Sequence, residues 1–323
     1  MAVTIRPLVD SDLDAVLPLL VRDAASMVTA EAYLEKSADH QYRPEWTWLA
    51  VDEASREVLA VAVWWGSPAE QAPGALDAVL VRESVPQADR VGLAGQVLRA
   101  GHESFTAGAA EPGRRPPEYH VFVPGDWRER PEAVAALEWR IEAVALAGLT
   151  ERLERLRFEW TPKAGIPEAS DRLTFHAEDD DEVFVDLLAR VLEGSLDHTS
   201  VTEAAAVGAR AQARSDVEFY QEVMLGERSW WRVAKDAAGA TVGFGLPSRN
   251  PGAYVVGYLG VLPEHRGKGY SGDILDEIVR ILALEAGADS IRSDTDLANR
   301  PMAAAMERSG FVNFARRLVF SAP

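Results

Sequence analysis

The stretch Tyr254-Val-Val-Gly-Tyr-Leu-Gly-Val-Leu-Pro-Glu-His-Arg-Gly-Lys-Gly-Tyr-Ser-Gly-Asp273 reads as a strand, a compact turn and the start of a helix. Val255 to Val261 is β-branched and aromatic, Pro263 ends the run, and Ile274, Leu275, Ile278, Ile281 and Leu282 then fall at helical spacing. That spacing predicts a helix from Ser271 to about Ala286, with Asp273, Asp276 and Glu277 near its positive end and Gly287 as its cap. Gly267 and Gly269 let the backbone approach a ligand and aim successive N–H groups at one point, to which the new helix adds its own unpaired amides. A pyrophosphate fits such a cradle, with Arg266 and Lys268 available to add charge. Taken alone, the turn serves equally well as a plain strand-to-helix connection.

Working outward, strand-like and helix-like stretches alternate along all 323 residues, which predicts an α/β (α+β) protein. The order also recurs. Val3 to Arg6 followed by an acidic helix start is answered by Leu173 to His176, and Val58 to Trp65 by Thr241 to Leu246. Asp77 to Val81 is answered by Gly257 to Val261, and Glu118 to Val123 by Ile291 to Thr295. Each half closes with a Gly-apolar pair, Gly148-Leu149 or Gly310-Phe311, and a final strand. This predicts two tandem domains, 1–161 and 172–323, joined by a linker at 162–171 that contains Pro162, Gly165, Pro167 and Ser170.

Composition narrows the chemistry. With 33 Lys and Arg against 51 Asp and Glu, the formal charge of −18 repels phosphate backbones and anionic lipid surfaces, so neither nucleic acid nor membrane is an expected partner. The absence of cysteine removes thiolate metal sites and Cys nucleophiles, and no His/Asp/Glu spacing suggests a metal. Together with the lack of a membrane-length apolar run, this leads us to expect a cytoplasmic protein. The sequence carries no signal of oligomeric state.

The segment Arg266-x-x-Gly269-x-Ser271, preceded by Gly260-Val-Leu-Pro-Glu-His and followed by Asn299 and Gly310-Phe311, resembles the acetyl-CoA signature of the GNAT superfamily of N-acetyltransferases. The resemblance implies two tandem GNAT-like domains, each a mixed, mostly antiparallel sheet flanked by helices. It implies that Arg266, Gly267, Lys268, Gly269, Tyr270, Ser271 and Gly272 hold the CoA pyrophosphate. The backbone of Leu259 and Val261 would pair with pantetheine along a splayed strand edge, and Asn299 would border the CoA arm. Gly257 and Gly260 are suitable places for the bulge that splays such a strand. In the first half the corresponding turn would be Asp89-Arg-Val-Gly92-Leu-Ala94-Gly95, where an acid stands in the basic position, so that half is expected to be a degenerate partner that shapes the active site, or to hold CoA weakly without turnover.

The implied reaction moves an acetyl group from acetyl-CoA to a primary amine, and the acidic surface favours a small cationic acceptor. The family's usual thiolate acid, a Tyr seven residues after the Asn, is here Met306, which carries no proton to give. Candidates for proton work are Tyr258 on the strand, Asp294 on the next strand and His198 in a loop. Packing, pairing with an Arg and simple exposure are the respective alternatives for these three. A catalytically silent CoA sensor or scaffold is the alternative that Met306 raises. A longer acyl-CoA, given room by Ala303, Ala304 and Ala305, is another.

Overall fold

A computed structural model describes residues 2–107 and 115–323. Among these, the strands in chain order are β1 (Val3–Pro7), β2 (Thr47–Asp52), β3 (Val58–Trp65), β4 (Ala75–Val81), β5 (Glu118–Pro124), β6 (Glu151–Trp160), β7 (Thr174–His176), β8 (Arg232–Lys235), β9 (Thr241–Asn250), β10 (Ala253–Val261), β11 (Ile291–Asp296) and β12 (Val312–Ser321). The chain divides into two compact units, Met1–Glu154 with Ala315–Pro323, and Arg155–Phe314. The sheet order is β1-β2-β3-β4-β5-β12 in the first unit and β6-β11-β10-β9-β8-β7 in the second. In each, one central pair is parallel (β4–β5, β10–β11) and the other pairs are antiparallel.

The contiguous partition expected from the sequence fails at the closing strands. Arg155 to Trp160 of β6 is hydrogen-bonded to β11 in the second unit, and Ala315 to Phe320 of β12 to β5 in the first. Each unit is therefore completed by the strand that closes the other half of the sequence, because ladder partners and not chain order decide membership.

The second unit is built around the helix Tyr270–Arg280, which continues as a π-helical turn, Ile281–Glu285, and stops at Gly287 with φ +69°. Its buried stripe, Ile274, Leu275, Ile278 and Val279, packs in one core with Val242, Val256, Ile291, Met306 and Phe311. Each such side chain contributes roughly 1.5–3 kcal/mol of transfer energy, so the helix start is anchored by its own apolar face. The opposite side of the sheet is covered by Phe184, Leu188, Val217, Trp231 and Phe244, against which Tyr220 and Tyr258 pack.

β10 pairs with β11 only at Tyr254 and Val255, and then the two strands part. The register against β9 shifts between Val255 and Tyr258. Gly257 sits in this bulge at φ +70°, where a Cβ would lie 2.0 Å from the Leu246 carbonyl oxygen. Gly260, the other glycine considered for the bulge, is in regular register opposite Phe244. Since the Leu262 N–H donates to Val242 O, alternation turns the N–H and C=O groups of Leu259 and Val261 away from β9, onto the edge that β11 has left.

The first unit repeats the splay but fills it. β4 meets β5 only at Ala75 and Leu76, and Asp77 is skipped in the register with β3. Here Arg140, 1% exposed, donates to Val79 O (3.1 Å), Ala136 O (2.7 Å) and Asp23 Oδ2 (2.5 Å). Val79 is the counterpart of Leu259, so a guanidinium occupies the strand edge that stays open in the second unit. The turn expected at Asp89 to Gly95 is also absent. These residues lie inside the helix Gln87–Ala107, whose continuous backbone bonding leaves no left-handed glycine to form a cradle. No helix of the described residues is long and apolar enough to cross a membrane.

Candidate active site

Within the second unit a cavity of about 330 Å³ runs from the bulge to the helix start. It is lined by Tyr258, Leu259, Gly260 and Val261 of β10, by the turn, and by Asn299, Pro301 and Met302. The turn begins as a 3-10 segment, Pro263–His265, in which His265 N and Arg266 N bond to Leu262 O and Pro263 O. The chain then passes through Gly267 (φ +77°) and Gly269 (φ +82°), two left-handed residues that reverse it into the helix. Among the described residues, the amides of Gly267, Gly269, Tyr270 and Ser271 donate to no protein acceptor; that of Gly272 bonds to Gly269 O (2.9 Å). A Cβ at Gly267 or Gly272 would meet nothing within 4 Å, and Gly267, Gly269, Tyr270 and Ser271 line the cavity. An anion with several oxygens fits this donor set.

The side chains of the turn behave differently from the sequence expectation. Arg266 is spent on bracing: Nε donates to Val261 O (3.2 Å), and the two terminal nitrogens donate to Glu193 O (2.5 Å) and Val191 O (2.8 Å). It ties the end of β10 to the end of the helix Asp181–Val191 while still lining the cavity. Lys268 is exposed, with Nζ 5.9 Å from the Tyr270 ring centroid. Asn299 is the N-cap of the helix Arg300–Arg308, its Oδ1 accepting from Met302 N at 3.3 Å. Met306, on the same helix, is 2% exposed and points into the core, so that helix offers the cleft no acid.

Of the three proton-transfer candidates, the structure brings Tyr258 alone to the cleft wall. Its ring stacks on Phe244 (5.9 Å, 3° between planes). Burial first, then the charge of Asp197, push the phenol up to about 12; a Ser200 hydrogen bond opposes them, ahead of a lesser rise from Asp216 and a lesser fall from Arg266. Asp294 is paired with Arg157 at 3.3 Å. His198 is an exposed residue at a helix start whose backbone N–H donates to Asp296 Oδ2 (2.7 Å). Neither lines the cavity.

Sequence reading missed the groups behind Tyr258. Asp197 caps the helix His198–Val207 and is 3.3 Å from Arg155, which also faces the buried Asp296 at 3.2 Å. Asp216 and Tyr220 lie one turn apart on the helix Ala209–Glu222. The Tyr220 ring covers the Gly257 bulge. Burial, more than the nearby Asp197 charge, lifts the Asp216 carboxyl above the ordinary range, opposed by a Gln212 hydrogen bond. These residues are far apart in sequence and carry no shared spacing, so only packing reveals them. No cluster able to hold a metal ion is present among the described residues.

Residues 173–312 match the family of GNAT acetyltransferase domains. The chain carries a GNAT domain. That domain contains the whole of the cleft just described. The chain is also similar in fold to solved GNAT proteins. A GCN5-related N-acetyltransferase from Sphaerobacter thermophilus covers 99% of this chain and 95% of its own, at 16% identity and a TM-score of 0.58. A tandem GNAT protein from the clavulanic acid biosynthesis pathway covers 100% and 99%, at 15% identity and a TM-score of 0.50. A glucosamine N-acetyltransferase region of a fungal multi-domain β-N-acetylglucosaminidase covers 98% of this chain and 38% of its own, at 13% identity and a TM-score of 0.53. These likenesses establish the fold, two GNAT-like units in tandem, with the GNAT domain second. No functionally curated protein matches the sequence.

Proposed function

We propose that the GNAT domain binds acetyl-CoA and transfers its acetyl group to the primary amine of a small cationic molecule. The observation that carries this reading is the set of unengaged amides at Gly267, Gly269, Tyr270 and Ser271, continuous with the open edge of β10. The turn would hold the pyrophosphate. The Leu259 amide and carbonyl and the Val261 amide would pair with the pantetheine arm, the Val261 carbonyl being already held by Arg266. This directs the thioester toward the bulge and Tyr258.

There a neutral amine nitrogen attacks the thioester carbon, forming the C–N bond as charge gathers on the carbonyl oxygen. Collapse breaks the C–S bond and releases thiolate, and the nitrogen loses a proton to water. Tyr258, protonated throughout the neutral range, donates a hydrogen bond to the departing sulfur. The negative field of Asp197 and Asp216 on the same side favours a cationic acceptor.

Release of free thiol from acetyl-CoA, measured against a panel of polyamines, amino sugars and amino acid amides, tests the proposal. Amine-dependent release is the expected result. Tight CoA binding with no release for any amine would select the silent sensor, which the buried Met306 also suits. Absence of CoA binding would end both readings.

A further inference from the structure

The residue that follows the linker reaches the turn. Arg172 extends one terminal nitrogen to Lys268 O (2.9 Å) and the other to Asp273 Oδ2, and its guanidinium stands 5.3 Å from the Tyr270 ring centroid. Asp273, 13% exposed at its side chain, is fixed from its other oxygen by the Ser170 hydroxyl (2.8 Å). Ser170 Oγ in turn accepts the amides of Arg172 and Leu173, both at 3.1 Å. The result is a closed loop of hydrogen bonds from the linker to the first turn of the helix and back to the peptide between Lys268 and Gly269.

That peptide is the one that matters. In a trans peptide unit the C=O and the following N–H point in opposite directions. Holding the Lys268 carbonyl on the Arg172 side therefore turns the Gly269 N–H to the opposite side, where the cavity lies. Gly269 has no Cβ and sits in a left-handed conformation, so steric restriction alone does not fix this peptide. Without the clamp, a flip would present a carbonyl dipole to the anion in place of an amide.

We propose that Arg172, locked by Asp273 and Ser170, is a positioning residue for the donor site: it sets the direction of the Gly269 amide and so the affinity for the pyrophosphate of the acyl donor. The inference rests on the reading of the cleft as a CoA site. It assigns a role to the linker, which connects two strands and in the sequence has only a spacer's composition.

The decisive substitution is Asp273→Asn. It removes a negative charge beside an anionic ligand, so charge alone would tighten CoA binding; loosening the clamp has the opposite sign. We expect the Kd for CoA by calorimetry, and KM for acetyl-CoA, to rise about tenfold, the scale of one hydrogen bond to a charged group, with kcat unchanged. Arg172→Ala should do the same, and Arg172→Lys, which can still donate to the Lys268 carbonyl, should recover part of the loss. Far-UV dichroism and the melting temperature identify any variant that fails to fold, and Ser170→Ala provides a milder test of the same clamp. Unchanged or tighter CoA binding in a folded Asp273→Asn protein would overturn the positioning role while leaving the donor site intact. Failure of the unaltered protein to bind CoA would instead remove the site itself.

Discussion

Replacing Tyr258 by Phe isolates the phenol, because the ring keeps its stack on Phe244 and loses only the hydroxyl. With the phenol near 12 and a thiol leaving group near an ordinary value of about 8.5, full proton transfer to sulfur is uphill by about 5 kcal/mol. Tyr258 is therefore a hydrogen-bond donor to the thiolate, not its acid. Such a bond to a charged group is worth about 1.5–3 kcal/mol, so kcat should fall roughly 10- to 150-fold, against the 10²- to 10⁴-fold typical of a true general acid. The assay is kcat for thiol release from about pH 6 to about pH 9.5, a range over which a phenol near 12 stays protonated. The ratio of unaltered to Tyr258→Phe rates should be constant across it. A ratio within about threefold of unity would remove Tyr258 from the chemistry. A ratio that collapses between about pH 8 and about pH 9 would show the phenol titrating there and refute the burial argument.

Ser271→Glu places a carboxylate at a helix start, where the helix tolerates it, beside the expected phosphate; for an assumed separation of about 5 Å and an effective dielectric of about 20, one charge pair costs about 3 kcal/mol. CoA affinity should drop by roughly two orders of magnitude in a calorimetric titration while the melting temperature holds. Titration of the unaltered protein should saturate at one CoA per chain, because Arg140 fills the first unit's strand edge and the helix from Gln87 supplies no cradle; a second equivalent would contradict that reading. Alkaline stability follows from the buried phenols. Tyr258 and Tyr119 are both pushed up to about 12 and Tyr33, Tyr42 and Tyr220 are also raised, with burial the leading cause in each. The folded state then holds protons that the unfolded state releases, so the stability present below about pH 10 should decline as pH climbs toward 12, and urea midpoints measured across that range will check the sign.

The strand-turn-helix around the glycines was legible because its signals are local: Gly267 and Gly269 dictate φ, Pro263 stops the strand, and the apolar spacing after Ser271 fixes the helix face. The recurrence of the two halves was legible for the same reason; the bulge was expected from the resemblance at Gly257 or Gly260, and packing against β9 places it at Gly257. The direction of side chains was not. Arg266 looked like a phosphate ligand and is a brace between two backbone ends. Asp273 looked like a helix-dipole residue and is half of a clamp closed by Arg172. Sequence by itself determined backbone conformation and hydrophobic periodicity, which depend on neighbours a few residues away. Tertiary structure alone decided which strand closes each unit, which of two similar splays stays open, and which acids lie behind Tyr258, because ladder partners and buried charges are chosen by contacts between residues up to more than a hundred positions apart.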